Sequence, residues 1–250
     1  MSVMRLAVIS DIHGNVRALE AVVEDMSELA PDVVVNLGDH LSGPLWPSET
    51  AACLLSRPGW IHIRGNHDRQ MTEWPIEQMS ASDRAAAEKL TAHQRDWLAA
   101  LPPFCEVAGR VFACHGTPSS DCEYLLEDVA HGHAILRRAE EVRVRLCGQR
   151  GLVLCGHSHV PRFISLGGEA RVANPGSVGL QAYDDFHDAA PHVMETGSPH
   201  ARYLVIDFKG SGAQATFRIV PYDWEEAARK ARCSGREEWA RALETGYWRA

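Results

Sequence analysis

Short apolar runs alternate with amphipathic stretches over the first sixty residues of the chain. The runs Arg5 to Ser10, Val33 to Leu37 and Trp60 to Ile63 have the length and the Val and Ile content of buried strands. Asn15 to Leu29 carries apolar residues at helical spacing, and Ser48 to Leu55 predicts a second helix with its first residue as the N-cap. The strand–helix–strand–helix–strand order predicts parallel strands joined by right-handed crossovers.

The middle of the chain predicts a long helix, a hairpin and more helical structure. Ser82 to Leu101 is Ala-rich and mostly polar and is followed by two prolines, and Leu125 to Arg145 is also expected to be helical. Between these, Phe104 to Val107 and Val111 to Cys114 are separated by three residues and predict a hairpin. Leu152 to Cys155 has the pattern of a further buried strand.

The last hundred residues predict a second, more antiparallel set of strands and a helical C terminus. The strands are expected at Arg162–Leu166, Ala170–Ala173, Tyr203–Phe208 and Thr216–Val220. From residue 224 onward the chain is charged and helical, and its expected packing anchors are Trp224, Trp239 and Trp248. The irregular stretch Gln181 to His200 is long for a bare loop, so it is the candidate wall of a substrate site, with His187 and His192 as contacts.

Seven polar residues stand at the ends of the predicted strands. They are Asp11, His13, Asp39, Asn66, His115, His157 and His159. Because parallel strands bring their carboxyl ends to one edge of a sheet, side chains far apart along the chain can meet there. Carboxylate, amide and imidazole groups without a thiolate suit divalent metal ions. The pattern therefore predicts one binuclear metal site.

Each motif taken alone also has a purely structural interpretation. Asp11 and His13 could cap the helix that follows them, and Asp39 after a glycine is typical of a turn. The pair His157 and His159 in GHSH has the fewest structural uses.

Composition is that of a globular protein. The 250 residues, 45% apolar and 23% charged, are enough for one α/β domain over residues 1–250. A formal net charge of −8 makes nucleic acid and anionic lipid unexpected partners, and the sequence leaves the oligomeric state open. The seven cysteines include no CxxC pair, so Cys114 and Cys155 are expected to be core residues in a reducing cytoplasm. No secretion signal or membrane span is visible.

The order DxH, GD, GNHD, H and GHxH between Asp11 and His159 resembles that of the calcineurin-like metallophosphoesterase superfamily, with every element present. The later segment NPGSVG, residues 174–179, is similar to the one that follows GHxH in the small bacterial, YfcE-like branch. The resemblance implies an α/β fold, a four-layer αββα sandwich of two mixed β-sheets flanked by helices.

The resemblance also implies a role for each motif residue. The ligands would be Asp11, His13 and His159 for one metal, Asn66, His115 and His157 for the other, and Asp39 for both. A hydroxide shared by the metals would attack phosphorus directly, and His67 would protonate the leaving oxygen or hold a phosphoryl oxygen. Asp39, Asn66 and His67 are thus implied catalytic residues, and Asn66 and His67 implied substrate contacts. The two cations are expected to be Mn or Fe, with Ni or Zn as alternatives.

Residues beside these motifs leave alternatives open. His40 could contact substrate or could face solvent in a loop, and Asp68 could orient His67 or, as the sequence slightly favours, cap a turn. The segment GDHLSGP lacks the Asp and Arg that eukaryotic-type Ser/Thr phosphatases of the superfamily carry, because Ser42 and Gly43 stand there. A phosphoprotein substrate is therefore less expected than a small phosphorylated compound.

The sequence thus predicts a dinuclear metal-dependent phosphoesterase that hydrolyses a small phosphodiester or phosphomonoester. A phosphoprotein phosphatase or a dinucleoside polyphosphate hydrolase could use the same site. A catalytically inactive interaction scaffold is a further alternative, but such a protein would be expected to lose ligands or His67, and this chain keeps them.

Overall fold

A computed structural model describes residues 4–186, 190–210 and 212–249. Its strands are β1 (Met4–Ile9), β2 (Val33–Asn36), β3 (Ile61–His62), β4 (Phe104–Val107), β5 (Val111–Cys114), β6 (Glu127–Ala130), β7 (His133–Leu136), β8 (Leu152–Leu154), β9 (Arg162–Ser165), β10 (Arg171–Asn174), β11 (Ala182–Asp185), β12 (His192–Glu195), β13 (Ala201–Lys209) and β14 (Gly212–Val220). Its helices are α1 (Val16–Leu29), α2 (Pro47–Leu55), α3 (Asn66–Glu73), α4 (Ala81–Ala87), α5 (Ala92–Ala99), α6 (Ala139–Arg145), α7 (Trp224–Cys233) and α8 (Glu237–Thr245), with a 3-10 turn at Ile76–Gln78.

The strands form three sheets. The first has the order β14-β13-β1-β2-β3, in which β1, β2 and β3 run parallel and β13 is antiparallel to β1. The second has the order β4-β5-β8-β10-β9, with β8 parallel to both neighbours and β4–β5 as an antiparallel hairpin. A smaller third sheet has the order β11-β12-β7-β6. The parallel order of the first three strands and the β4–β5 hairpin agree with the sequence prediction.

Alternate residues of the strands face opposite sides of each sheet. Leu6 and Val8 of β1 belong to a buried core cluster shared by the first two sheets. Ala7 and Ile9 of the same strand pack on the other face, in a cluster with residues of α1. The outer face of the second sheet packs in the same way against α6, which contributes Val142. These helix–sheet–sheet–helix layers confirm the predicted αββα sandwich of two mixed sheets, and the third sheet is an addition to it.

The prediction of helix from Leu125 to Arg145 was wrong over most of its length. This stretch forms the antiparallel hairpin β6–β7, and only α6 is helical. The hairpin turns at His131 and Gly132, whose φ angles of 54° and 79° are both positive. Positive φ at both central residues is the geometry of a type I′ turn, which matches the twist of the strands it joins.

Other element boundaries also differ from the prediction. Ser82 to Leu101 contains two helices, α4 and α5, because Thr91 opens a new one with a capping box to Gln94. Ser48 is not the N-cap of α2, which has Pro47 at its first turn and Trp46 before it.

The C-terminal third of the chain has more regular structure than predicted, and its strands pair differently. The two strands predicted from Tyr203 to Val220 pair with each other and join the first sheet, whereas Gln181 to His200 contributes β11 and β12 to the third. Of the predicted packing anchors, Trp239 and Trp248 are buried in a cluster with α7 and α8, and Trp224 is half-buried.

The structure also shows the state of the cysteines and the length of the apolar helices. Cys114 and Cys155 are buried core residues as predicted, and all seven cysteines are free thiols. Within the described part of the chain, no helix is both long enough and apolar enough to cross a membrane.

Candidate metal centre

The seven predicted ligands meet where the strand ends of the first two sheets adjoin. The loops after β1, β2 and β3 supply Asp11, His13, Asp39 and Asn66, and the loops after β5 and β8 supply His115, His157 and His159. The site therefore lies at the carboxyl ends of the parallel strands of both sheets, the edge at which open α/β sheets bind ligands.

The ligand candidates fall into two neighbouring groups. Asp11, His13 and His159 form one, and Asp39, His115 and His157 form the other, with one donor atom of each residue within 4.8 Å of the rest of its group. Asn66 joins the second group, because its Oδ1 lies 3.1 Å from Nε2 of His115. Oδ2 of Asp39 lies 3.2 Å from Nε2 of His115 and 3.9 Å from Nε2 of His13, so this carboxylate reaches both groups.

The separations between donor atoms fit ligands arranged around ions. Nε2 of His13 lies 3.1 Å from Nε2 of His159, which in turn lies 3.3 Å from Oδ1 of Asp11. Ligand atoms bound about 2.1 Å from a common metal lie about 3.0–3.4 Å from one another. Two imidazole nitrogens this close need a cation or a proton between them.

Backbone carbonyls fix which ring nitrogen faces the centre. The distances from Nδ1 to the carbonyl oxygen are 3.1 Å for His13 with Ser42, 2.8 Å for His115 with Leu37 and 2.7 Å for His159 with Leu180. A carbonyl only accepts, so each Nδ1 carries a hydrogen and each Nε2 faces the centre, where the neutral ring would present a lone pair to a metal. His157 is turned the other way, since its Nε2 lies 3.0 Å from the carbonyl of Cys122.

The carboxylate of Asp11 tests independently whether the donor set fits metal ions. This residue is fully buried, and its Oδ1 has no hydrogen-bond partner among the described residues. Burial raises the pKa of Asp11, but the rings of His159 and His115 outweigh burial and lower it to about 2. A buried, ionised oxygen without a donor is costly unless a cation binds it, so the donor set fits divalent metal ions.

Burial also keeps two of the imidazoles neutral. It lowers the pKa of His13 to about 4, with the neighbouring His159 acting in the same direction. It likewise lowers the pKa of His157 to about 4, together with His115. Neutral imidazole is the form that binds metal.

Five of the ligand candidates have a left-handed backbone. Their φ angles are 56° for Asp11, 51° for His13, 54° for Asp39, 67° for His157 and 59° for His159. Non-glycine residues seldom adopt this conformation, which turns the chain sharply at the strand end and is characteristic of functional sites.

Two glycines make room for these loops. A Cβ on Gly65 would collide with the carboxylate of Asp39, and one on Gly156 would collide with the side chains of Ser10 and Asp11. The loops after β2, β3 and β8 can therefore approach their neighbours only because no side chain intervenes.

The NPGSVG segment braces the ligand loops from behind. Nδ2 of Asn174 donates to the carbonyl of Gly156 at 2.7 Å, which holds the GHSH loop. The hydroxyl of Ser177 and the amide of Gly179 donate to the carbonyl of Asp11, at 2.7 and 3.0 Å. The segment thus connects both sheets behind the site.

Asp83 is a site residue that sequence reasoning missed. Its Oδ1 accepts a hydrogen bond of 2.8 Å from Nδ1 of His67, and it is fully buried on α4. Burial lowers the pKa of His67, but the carboxylates of Asp83 and Asp39 outweigh burial and raise it to about 10. The only signal in the sequence was the pattern from Ser80 to Asp83, which indicates a helix cap and not a partner for His67.

Asp68 and His40 have structural roles. Asp68 accepts hydrogen bonds from the backbone N–H groups of Asp39, His40 and Gly65, at 2.9, 3.0 and 2.8 Å. It also contacts Nδ1 of His40 at 2.7 Å. The prediction that Asp68 caps a turn agrees with this geometry, whereas the suggestion that His40 contacts substrate or solvent was wrong, because its side chain is fully buried behind the loop.

Two tyrosines support the GHSH loop. Tyr183 belongs to β11 of the third sheet, and Tyr124 lies just before β6. The hydroxyl of Tyr183 donates to the carbonyl of His157 at 3.0 Å, and the ring of Tyr124 stacks on that of His157 at 4.8 Å. His192 lies behind them, with Nε2 3.0 Å from the hydroxyl of Tyr124, and is buried. The prediction that His192 contacts substrate was therefore wrong, and His187 lies outside the described residues.

A cavity of about 770 Å³ opens onto both ligand groups. His67, Asn66 and Asp39 line it close to the centre. Asp184 and Asp185 of β11 line it too, so the predicted substrate-side wall from Gln181 to His200 does contribute to the cavity.

Comparison with known proteins agrees with the fold and the motifs. A sequence model described as calcineurin-like phosphoesterase matches residues 4–161. No curated protein matches the chain. Among solved structures, a metallophosphoesterase from Sphaerobacter thermophilus is 24% identical, with 98% of this chain and 99% of that one covered and a TM-score of 0.74.

Two further solved structures have the same fold. A hypothetical protein from Pyrococcus horikoshii OT3 is 19% identical, with 98% of this chain and 99% of that one covered and a TM-score of 0.75. A putative diadenosine tetraphosphatase is 18% identical, with 86% and 93% covered and a TM-score of 0.53. Because the family model extends over more than half of the chain and includes all five ligand loops, the chain belongs to the calcineurin-like phosphoesterase family.

Proposed function

We propose that the protein is a dinuclear metal-dependent phosphoesterase that hydrolyses a small phosphodiester or phosphomonoester. The observation that carries the proposal is the pair of adjoining ligand groups, connected by the carboxylate of Asp39 and open to one cavity. Membership of the calcineurin-like phosphoesterase family supports hydrolysis of phosphoric esters.

The donor set would hold two divalent ions, Asp11, His13 and His159 binding one, Asn66, His115 and His157 the other, and Asp39 both. When bound, such ions would lower the pKa of a coordinated water and neutralise phosphoryl charge. We propose Mn or Fe, with Ni or Zn as alternatives, because the set combines oxygen and imidazole nitrogen without a thiolate.

The chain's own residues would orient the substrate and move the proton. Asp83 holds Nδ1 of His67, so Nε2 is the ring nitrogen available to a substrate in the cavity. From there His67 would donate a proton to the leaving oxygen or hold a phosphoryl oxygen. Asn66, the first residue of α3, would hold its amide oxygen toward the same place.

The experiment is hydrolysis of bis-p-nitrophenyl phosphate and p-nitrophenyl phosphate by the manganese-loaded protein. His67→Ala should lower kcat by about a hundredfold, the typical contribution of a positioned proton donor, and leave the bound metal in place. His115→Ala should instead reduce the metal content, and His93→Ala, at an exposed position on α5, should change neither.

Two results would contradict the proposal in different ways. No turnover of either ester with any of several divalent metals would exclude phosphoesterase activity on small substrates. Loss of metal in His67→Ala would instead show that His67 acts as a ligand.

A further inference from the structure

One face of helix α3 forms a side of the cavity. His67 and Gln70 of α3 lie three residues apart on one face, and both line the cavity together with Trp74, the residue that ends the helix. An α-helix rises by about 1.5 Å per residue, which displaces Trp74 by about 10 Å from His67 along the axis. The face therefore extends outward from the proposed reaction centre.

Trp74 is the most exposed of the tryptophans that line the cavity. Trp74 is 40% exposed, whereas Trp239 and Trp248, the other tryptophans that line the cavity, are 4% and 9% exposed. An accessible indole at a cavity wall is a surface on which a flat ring can stack, since every heteroaromatic ring offers a π face.

Gln70 lies between the proposed reaction centre and Trp74. Gln70 is half-buried, and its side-chain amide makes no hydrogen bond to any described residue. An amide offers both donors and an acceptor, and a glutamine can pair with the donor–acceptor edge of a nucleobase. A stacked ring beside Gln70 would thus find a polar partner for its edge.

The other charged groups of the cavity argue against a strongly anionic substrate. Asp184, Asp185 and Glu238 line it with one guanidinium, that of Arg236, whose Nε donates to Glu238. Among the described lining residues there is no lysine and no second arginine. Beyond the metal ligands the wall offers no excess positive charge for a chain of phosphates.

We propose that the substrate carries a flat, uncharged heteroaromatic ring of the nucleobase kind, which stacks on Trp74 and hydrogen-bonds to Gln70. This inference rests on the proposed function and narrows its substrate to a nucleoside phosphoester with a single phosphate.

The test compares two ligands that differ only in the ring. Adenosine 5′-monophosphate and ribose 5-phosphate are titrated calorimetrically into the manganese-loaded protein in a His67→Ala background, so that neither is consumed. The nucleotide should bind at least about tenfold more tightly, the effect expected of one base stacked on an aromatic side chain. Trp74→Ala should abolish most of that preference, Trp74→Phe should keep most of it, and Gln70→Leu should reduce it.

Ile76→Ala is the matched control, because Ile76 has the same 40% exposure, lies two residues further on and does not line the cavity. Equal affinities for the two ligands, no measurable binding of either, or a preference that survives Trp74→Ala would overturn the inference. Turnover of bis-p-nitrophenyl phosphate by the unsubstituted protein, measured in parallel, separates this outcome from failure of the proposed function.

Discussion

At the scale of single residues, the orientation of the His67 ring depends on Asp83, whose Oδ1 lies 2.8 Å from Nδ1 of that ring. His157 and His159 stand together in GHSH just after the buried strand β8, so the sequence itself indicated a site at that strand end. Asp83 could not be inferred in this way. It reaches His67 from another helix, 16 positions along the chain, and its pattern there is that of an ordinary cap.

Substitution of Asp83 gives a testable prediction at the scale of single residues. Asp83→Asn should lower kcat on bis-p-nitrophenyl phosphate by about ten- to a hundredfold, because the carboxylate that orients the ring of His67 is replaced by a neutral amide. Metal content, measured by mass spectrometry, should stay constant, since Asp83 is not in either ligand group.

Asp96→Asn, at an exposed position on α5, serves as the control for that substitution. Unchanged kcat in Asp83→Asn would show that the Asp83–His67 contact does not matter for turnover. A fall in metal content would show that Asp83 acts through the stability of the site.

At the scale of elements, periodicity predicted strands and helices where tertiary contacts agree with local preference. The first parallel strands and α1 are of this kind, because each has one face against another layer. The sequence did not predict the hairpin β6–β7, because its strands are short and partly exposed. Its turn also depends on positive φ at His131, and histidine is not a residue type that strongly indicates a turn. The sequence also did not show which strands pair with each other in each sheet.

A contact between elements gives a prediction with a defined pH dependence. Asp25 of α1 accepts hydrogen bonds from Arg218 of β14 and from the hydroxyl of Tyr203 of β13, at 2.6 and 2.5 Å. The Arg218 hydrogen bond is the main cause of its lowered pKa. A carboxyl whose pKa is lower in the folded state stabilises the protein above its unfolded pKa, and this contribution disappears as pH falls through the folded pKa.

Asp25→Asn should therefore cost about 1–2 kcal/mol of unfolding free energy at neutral pH. The difference from the unsubstituted protein should begin to shrink below about pH 4, where the unfolded carboxyl becomes protonated, and should disappear only below the lower folded pKa of Asp25. Urea unfolding at both pH values measures it. A cost independent of pH would mean that the contact acts through packing and not through charge.

At the scale of the whole molecule, the layered core and the metal centre are separable. The buried apolar clusters lie between the sheets and under the helices, whereas the ligand candidates follow the carboxyl ends of the strands. The order of layers could be predicted from the strand–helix alternation, whereas the third sheet and the packing of α7 and α8 beside the cavity depend on contacts of residues far apart along the chain.

Chelation tests this separation. Removing metal should leave the far-ultraviolet circular dichroism unchanged at 25 °C and lower Tm by several degrees, because a ligand at a hundred times its Kd stabilises the native state by about 2.7 kcal/mol. Restoring manganese should restore Tm. Loss of secondary structure on chelation would mean that the core depends on the metals to fold.

The left-handed backbone at the ligand loops affects how such a protein could evolve. Each of these five residues costs about 1 kcal/mol relative to glycine at the same position. Replacing them by glycine would relax the chain and remove the metal centre together. A lineage released from selection for hydrolysis could therefore regain, through glycine at these positions, part of the stability that it would lose with the metals.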